Sequence, residues 1–278
     1  MRVIETAGEL RAELNASQHP LGLVPTMGAL HAGHVALLRA ARAECEFVTA
    51  SIFVNPAQFG PGEDLATYPG NREYDLGVME DEGVDLVFAP GTDEIYPDGF
   101  DTTVSVGQLS QRLEGESRPG HFQGVATVVC KLLTIFRPDR AYFGEKDAQQ
   151  LLVVRRMNTD LALGAEIVAV PTVRDPDGLA LSSRNAGLTG DERSAALGLH
   201  AGLALAVKLR TEGETNAEVL REAIRTKMSK RGVRVDYVSI SDPQTLDELD
   251  DLGNVSGPAL ALVAGFVGET RLIDNMAL

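Results

Sequence analysis

The chain has 278 residues, 44% hydrophobic and 23% charged, an ordinary globular composition with length enough for one large core or two smaller ones. Its 40 Asp and Glu against 25 Lys and Arg leave a formal net charge of -15, which opposes binding to nucleic-acid backbones and anionic lipid. No apolar run approaches the roughly 20 residues of a membrane helix, and Met1-Arg2-Val3-Ile4-Glu5 opens no signal peptide, so the sequence predicts a cytoplasmic chain with neither a membrane nor a nucleic-acid partner.

In chain order, residues 21–26 are apolar and of strand length, and residues 35–45 follow with helical spacing. Residues 47–54 form the next predicted strand, 71–82 the next helix, and 84–89 the strand after it. Residues 122–136 are a strongly apolar helix ended by Arg137-Pro138, because the residue before a proline is pushed out of helical geometry. Strand, helix and strand recur at 140–143, 148–163 and 166–170. Such alternation predicts a parallel sheet with helices on both faces, whose ligands bind beyond the carboxyl ends of the strands. Cys45 and Cys130 fall in helical segments and read as buried thiols in a reducing compartment. The Asn-x-Ser triplets at Asn15 and Asn254 then carry no glycosylation reading.

The pattern changes between Pro171 and Asp177. Residues 189–210 and 216–230 read as helices, the first opened by Thr189 with Glu192 three residues on, a reciprocal capping pattern. Strands follow at 235–240, 259–266 and 270–273. The sequence therefore predicts an α/β domain over 1–172 and a smaller α+β domain over 173–278, without internal repeats.

Four separated segments carry chemistry. Pro25-Thr26-Met27-Gly28-Ala29-Leu30-His31-Ala32-Gly33-His34 is a strand end, a turn and a helix start. A helix N-terminus carries about half a positive charge and unpaired N–H groups, which suit phosphate. Gly28 and Gly33 allow close backbone approach to a ligand. His31 and His34, three apart, are expected to face the same way on the first helical turn and to donate hydrogen bonds to a phosphate under attack. A metal site would need more: there is no His-Glu-x-x-His, and the other imidazoles are His19, His121 and His200. Two structural histidines are the plain alternative.

Ser51-Ile52-Phe53-Val54-Asn55-Pro56-Ala57-Gln58-Phe59 runs from a strand into a loop. Asn55 and Gln58 offer neutral amides for the hydroxyl and carboxylate of a hydroxy acid, or else simply cap the turn. Residues 60–74, rich in Gly, Pro and acidic residues, have the composition of a lid. Phe143-Gly144-Glu145-Lys146-Asp147-Ala148-Gln149-Gln150 repeats the strand-to-helix arrangement. There Lys146 suits phosphate oxygens, Asp147 a ribose hydroxyl, and Gln150 faces the same way; a solvated helix start is the bland reading. In Leu181-Ser182-Ser183-Arg184-Asn185, two hydroxyls and a guanidinium suit a polyphosphate, with Arg184 countering the charge of a leaving diphosphate. An ordinary capping turn is the alternative.

Together these segments resemble the pantothenate synthetase (pantoate–β-alanine ligase) family, a branch of the HxGH nucleotidylyltransferase superfamily. The family patterns PTMGxLHxGH, SIFVNPxQF, RPxHFxGV, FGEKDxQQ, GLAxSSRN and RLIDN stand here in order, the third from Arg118 to Val125 and the last from Arg271 to Asn275. HxGH alone marks only the superfamily; the full set spans almost the whole chain. The resemblance implies a Rossmann-like N-terminal domain, a smaller C-terminal lid domain, a homodimer and Mg2+. It also implies a ligation in which ATP converts pantoate to its adenylate before β-alanine attacks. Carried over by position, Met27, Gly28, Ala29, Leu30, His31, Ala32, Gly33 and His34 line the ATP site, with His34 the proton donor. Gly144, Glu145, Lys146, Asp147, Val173, Leu181, Ser182, Ser183 and Arg184 complete it, and Lys146, Ser182, Ser183 and Arg184 join the histidines in catalysis. Gln58 and Gln150 bind pantoate, Gln58 borders β-alanine, and Val125, Val128 and Val129 wall the gem-dimethyl group. No residue is assigned to Mg2+. Ala57, Gly70 and Ala148 depart from the residues common at those positions.

Other readings are a different nucleotidyl-transferring member of the superfamily, a nucleotide sensor that keeps the pocket, and a tRNA-binding synthetase fragment. The paired glutamines oppose the first, the full catalytic set the second, and the charge of -15 the third. Lys227-Met228-Ser229-Lys230 spells the start of the synthetase KMSKS signature but ends an amphipathic helix, and is read as coincidence.

Overall fold

The computed structural model describes the chain apart from positions 16, 18, 61–64, 66, 67, 69 and 254–256. The lid reading of residues 60–74 falls partly outside the described residues, and the Asn254 triplet wholly so. The elements are β1 (Arg2–Ile4), α1 (Ala7–Leu14), β2 (Leu21–Thr26), α2 (Ala32–Glu44), β3 (Phe47–Ile52), α3 (Arg72–Asp81), β4 (Leu86–Phe88), α4 (Thr92–Ile95), α5 (Glu114–Ser117), α6 (His121–Phe136), β5 (Arg140–Gly144), α7 (Ala148–Asp160), β6 (Glu166–Val170), α8 (Gly190–Thr211), α9 (Ala217–Lys230), β7 (Arg234–Ser241), β8 (Leu260–Val267) and β9 (Thr270–Ala277). By packing they form two compact units, Met1–Glu145 with Gln149–Pro171, and Lys146–Ala148 with Thr172–Leu278.

The first unit is a parallel sheet in the order β1-β4-β3-β2-β5-β6. Side chains alternate across a strand, so each central strand feeds two cores. Leu23, Phe88, Ala141 and Phe143 join α1, α6 and α7 on one face, while Val24, Val87 and Tyr142 join α2 and α3 on the other. This double coverage explains the near-continuous apolar runs. Chain order reverses between β2 and β5, which lie side by side, and a doubly wound sheet opens its ligand crevice at such a reversal.

Local chemistry sets the ends. Arg137 closes α6 in the left-handed region, φ 49, just before Pro138. The predicted strand and helix sites are occupied, with shifted limits: β3 stops at Ile52, α7 at Asp160, and β4 has three residues. Four elements escape the sequence pattern, β1, α1, α4 and α5. Three residues at a sheet edge are too few to show periodicity, and β1 exists through its pairing with β4.

In the second unit β7, β8 and β9 form an antiparallel sheet in that order, with α8 and α9 packed over a core that includes Leu203, Ile224, Met228, Ile240, Val263 and Leu272. Thr189 and Glu192 make the reciprocal cap of α8, and Asn216 caps α9. β9 runs to Ala277, four residues beyond the predicted strand, because its pairing with β8 continues through the polar Asp274 and Asn275. Lys227–Lys230 lies in the last turn of α9. No described helix is long and apolar enough to cross a membrane.

Candidate active site

The turn after β2 contains two successive left-handed residues, Gly28 at φ 80 and Ala29 at φ 53. An L side chain at Gly28 would be strained, and its Cβ would stand 2.8 Å from Asp75 Oδ2. Asp75 is a buried carboxylate in the first turn of α3. It accepts from the Ala29 N–H at 2.9 Å and the Leu30 N–H at 2.8 Å. Gly28 therefore answers to this internal carboxylate, besides any ligand. Asp75 was not among the sequence-predicted site residues: in the chain it is one of four acids of α3, and only its burial sets it apart.

The turn delivers the histidines differently from the sequence expectation. His31 is not on the first helical turn but precedes α2 as its N-cap, with extended backbone at φ -139 and ψ 176. His31 Nδ1 accepts from the Gly33 N–H at 3.1 Å, and His34 Nδ1 accepts from the His31 N–H at 3.3 Å. The rings come together through this reciprocal cap, centroids 4.2 Å apart. With both Nδ1 atoms accepting, a neutral imidazole at either position carries its proton on Nε2.

The segment after β3 enters a 3-10 turn, Pro56–Gln58, capped by Asn55. Asn55 is buried and its amide is fully engaged. Its Oδ1 accepts from the Ala57 N–H at 3.3 Å and the Tyr96 hydroxyl at 2.7 Å, and its Nδ2 donates to Gln58 Oε1 at 3.0 Å and the Gly124 carbonyl at 3.1 Å. Two donors and two acceptors exhaust an asparagine, so the capping alternative holds and Asn55 has no group left for a hydroxy acid. What it does is orient Gln58. Gln58 Nε2 donates to Met27 Sδ at 3.2 Å, joining this turn to the one after β2. Burial pushes the Tyr96 hydroxyl up to about 12, so it stays protonated as the donor to Asn55.

α6 presses on the same turn. A Cβ on Gly124 would lie 2.2 Å from the Ala57 carbonyl oxygen, so only glycine lets the helix approach. His121 Nδ1 lies 2.9 Å from the Gln58 carbonyl oxygen and its Nε2 3.1 Å from the Arg118 guanidinium. Arginine only donates, so Nε2 accepts and Nδ1 donates to the carbonyl. Val125, Val128 and Val129 are buried in the core beneath the sheet. Of the two adjacent glutamines, Gln149 is buried and committed: it accepts from the Glu114 N–H at 3.0 Å and donates to the Leu109 and Arg112 carbonyls, both at 2.7 Å. Gln150 is half-buried on α7 and carries no comparable load among the described residues.

Gly144 and Glu145 close β5 in the first unit. Lys146 and Asp147 cluster with the second, their charged groups 4.0 Å apart and Asp147 about half exposed. The Lys146 carbonyl accepts from Asn275 Nδ2 at 2.9 Å. Val173 and Leu181 are brought together where the Leu181 N–H reaches the Val173 carbonyl at 3.0 Å. Ser182 then caps a 3-10 turn, Ser183–Gly187, accepting from the Arg184 N–H at 3.3 Å. The Ser-Ser-Arg segment is thus a capped turn, with Ser183 and Arg184 half-buried.

A parallel sheet whose reversal point leads into a histidine-capped helix, with a glutamine held beside it, defines a nucleotide-binding α/β enzyme. The family model for pantoate–β-alanine ligase matches residues 2–277. The chain is 54% identical over 279 residues to the pantothenate synthetase of Roseiflexus sp. (strain RS-1), covering 100% of this chain and 99% of that one. It superposes with a TM-score of 0.94 on the crystal structure of pantothenate synthetase from Thermus thermophilus, at 50% identity and 99% coverage of both. Against the pantoate–β-alanine ligase of Francisella tularensis the TM-score is 0.82 at 34% identity, covering 99% of this chain and 97% of that one. The chain belongs to the pantoate–β-alanine ligase family, and it catalyses the ATP-dependent condensation of pantoate with β-alanine.

Proposed function

We propose that the condensation runs through an acyl adenylate and that the residues divide by role as follows. The pantoate carboxylate attacks the α-phosphorus of ATP and displaces diphosphate. The amine of β-alanine then attacks the acyl carbon and displaces AMP. A carboxylate oxygen is a poor leaving group until adenylation makes it a good one, so the protein's part is positioning and charge stabilisation.

From the first unit, His34 and His31 donate from Nε2 to the phosphate charge that develops during attack, His34 being the proton donor to the leaving group. Met27, Gly28, Ala29, Leu30, Ala32 and Gly33 bring backbone against the nucleotide, continued by Gly144 and Glu145. Gln58 and Gln150 hold pantoate through neutral amides, which leave its carboxylate more nucleophilic than a lysine or arginine would, and Gln58 borders β-alanine. Val125, Val128 and Val129 supply apolar surface for the gem-dimethyl group. From the second unit, Lys146, Ser182, Ser183 and Arg184 balance charge on the departing diphosphate. Asp147 accepts from ribose, and Val173 and Leu181 complete the nucleotide's surroundings. The observation that carries this reading is the reciprocal His31–His34 cap, in which both Nδ1 atoms accept, so that a neutral ring carries its proton on Nε2. The Francisella tularensis relative, crystallised with β-γ ATP and β-alanine, supports two of the ligands.

Mg2+ takes oxygen ligands in an octahedron and sheds water reluctantly. Among the described residues no group of three His, Cys, Asp or Glu side chains is placed to hold an ion, and Asp75 is committed to backbone N–H groups. The donor set fits an ion carried chiefly by the ATP phosphates, whose charge it neutralises when bound. The chain works as a cytoplasmic homodimer on this reading. The test is isotope exchange between diphosphate and ATP: it is expected with pantoate and without β-alanine, while AMP release needs all three substrates. Exchange independent of pantoate would refute the adenylate route.

A further inference from the structure

We propose that Asp274 and Asn275, consecutive residues near the end of β9, set the spacing between Lys146 and the Ser182–Arg184 turn. They are positioning residues, and the inference rests on the role given above to Lys146 and that turn. All of these groups belong to the second unit.

Successive side chains of a strand point to opposite faces, so adjacent residues reach different partners from one backbone. Asp274 lies on the face of β9 that carries Leu272, a member of the core under α8 and α9. There its carboxylate is buried and takes the Arg174 guanidinium in a two-pronged pair, Nη1 to Oδ2 at 2.7 Å and Nη2 to Oδ1 at 2.8 Å. Arg174 also donates to the Gly178 carbonyl at 3.2 Å and to the Asn275 carbonyl at 3.3 Å. It thereby clamps the hairpin in which Arg174 pairs with Ala180 and Leu181 with Val173. That hairpin runs straight into Ser182, and Asn185 Nδ2 donates back to the Ala180 carbonyl at 3.0 Å. Asn275, on the opposite face, donates from Nδ2 to the Lys146 carbonyl at 2.9 Å. Both residues sit in register on β8, Asp274 opposite Val263 and Asn275 opposite Leu262, so the shared strand is anchored along its length.

One dipeptide therefore grips the two segments of this unit that act on phosphate. A forked arginine–carboxylate pair fixes angle as well as distance, and a displacement of about 1 Å in a positioning group costs about a hundredfold in rate. These contacts are to main chain and to Arg174.

The experiment compares Asn275→Asp, Asp274→Asn and Arg174→Lys with Lys146→Ala in the full-length enzyme, reading pantoate-dependent diphosphate exchange and thermal midpoint. Asn275→Asp keeps the shape and replaces the donor by a second acceptor facing a carbonyl. It is expected to lower kcat for exchange and raise the KM for ATP by about tenfold each, with the KM for pantoate within about twofold of wild type. Asn275→Gln, which keeps a donor, is expected to recover part of the loss. Asp274→Asn and Arg174→Lys are expected to give the same split, with less than additive loss when combined. A fall in thermal midpoint with unchanged kinetics in the folded fraction overturns the proposal, as does an equal rise in both KM values. If Lys146→Ala leaves the KM for ATP and kcat unchanged, the role of Lys146 falls and this inference with it. If Lys146→Ala is impaired while the three clamp variants match wild type, this inference alone falls.

Discussion

Asp75 accepts from the Leu30 N–H at 2.8 Å across 45 residues of chain, and with its second oxygen it accepts from Ala29. A buried carboxylate taking two backbone N–H groups ties α3 to the turn that presents His31 and His34. It does for that turn what no residue within it does, since Gly28 and Ala29 both occupy the left-handed region. Asp75→Asn keeps the size but sets an NH2 against one of the two N–H donors. The expected result is a loss of about 1–3 kcal/mol in stability, with a fall in diphosphate exchange larger than the unfolded fraction explains. Urea denaturation and exchange on the same samples separate the two.

His31 is both a helix cap and a proposed donor, and the roles are separable. Asparagine is a good N-cap without an imidazole, so His31→Asn is expected to keep stability within about 0.5 kcal/mol of wild type, whereas His31→Ala loses about 1 kcal/mol. Both are expected to lose activity. His34→Ala is expected to lose about 100–1,000-fold in kcat for adenylation while remaining folded. Wild-type kcat in His34→Ala with saturating pantoate would end its assignment as proton donor.

Gln58 and Asn55 differ in what their loss does. Gln58→Ala and Gln150→Ala are each expected to raise the KM for pantoate by about tenfold with a milder effect on the KM for ATP. Asn55→Ala strands the Tyr96 hydroxyl and the Ala57 N–H, at about 1–3 kcal/mol for each group left without a partner. Its signature is therefore a lowered thermal midpoint accompanied by a raised pantoate KM.

Gly124→Ala drives a methyl group to within 2.2 Å of the Ala57 carbonyl oxygen, on backbone that cannot swing aside. Overpacking of this kind costs about 1–3 kcal/mol or more, and here it falls on the turn that carries Gln58. A drop in thermal midpoint together with weakened pantoate binding is expected; an unperturbed variant would mean that α6 and the turn separate easily.

Tyr96 links stability to alkaline pH. Burial raises its hydroxyl to about 12 in the folded chain from the ordinary 10.0. The folded state therefore holds a proton that the unfolded state releases earlier. The contribution is fully present below about pH 10 and is lost as pH rises from about 10 to about 12. Tyr96→Phe should flatten that part of the stability–pH curve relative to wild type. Tyr142, which burial also pushes upward, contributes in the same direction in both proteins, so the difference between the two curves isolates Tyr96.

Much of this was legible beforehand. The spacing of apolar residues determined the sheet strands at 21–26 and 166–170, and residue identity three positions apart the capping pair Thr189–Glu192, because these depend on neighbours within one turn or one strand. The motif segments likewise marked which stretches carry chemistry, since a family pattern is a property of order and spacing. Tertiary structure alone decided how the polar residues in those stretches divide the work. Asn55 and Gln58, or Gln149 and Gln150, are chemically alike in the sequence. One member of each pair is consumed by partners from Gly124, Tyr96, Leu109 or Arg112, which lie 35 or more residues away. The same is true of Asp75 and Asp274, ordinary acids in the chain until folding buries them against distant N–H groups and a guanidinium. Local order can nominate a polar side chain, but whether it serves a substrate or the protein depends on which donors and acceptors the folded backbone brings to it.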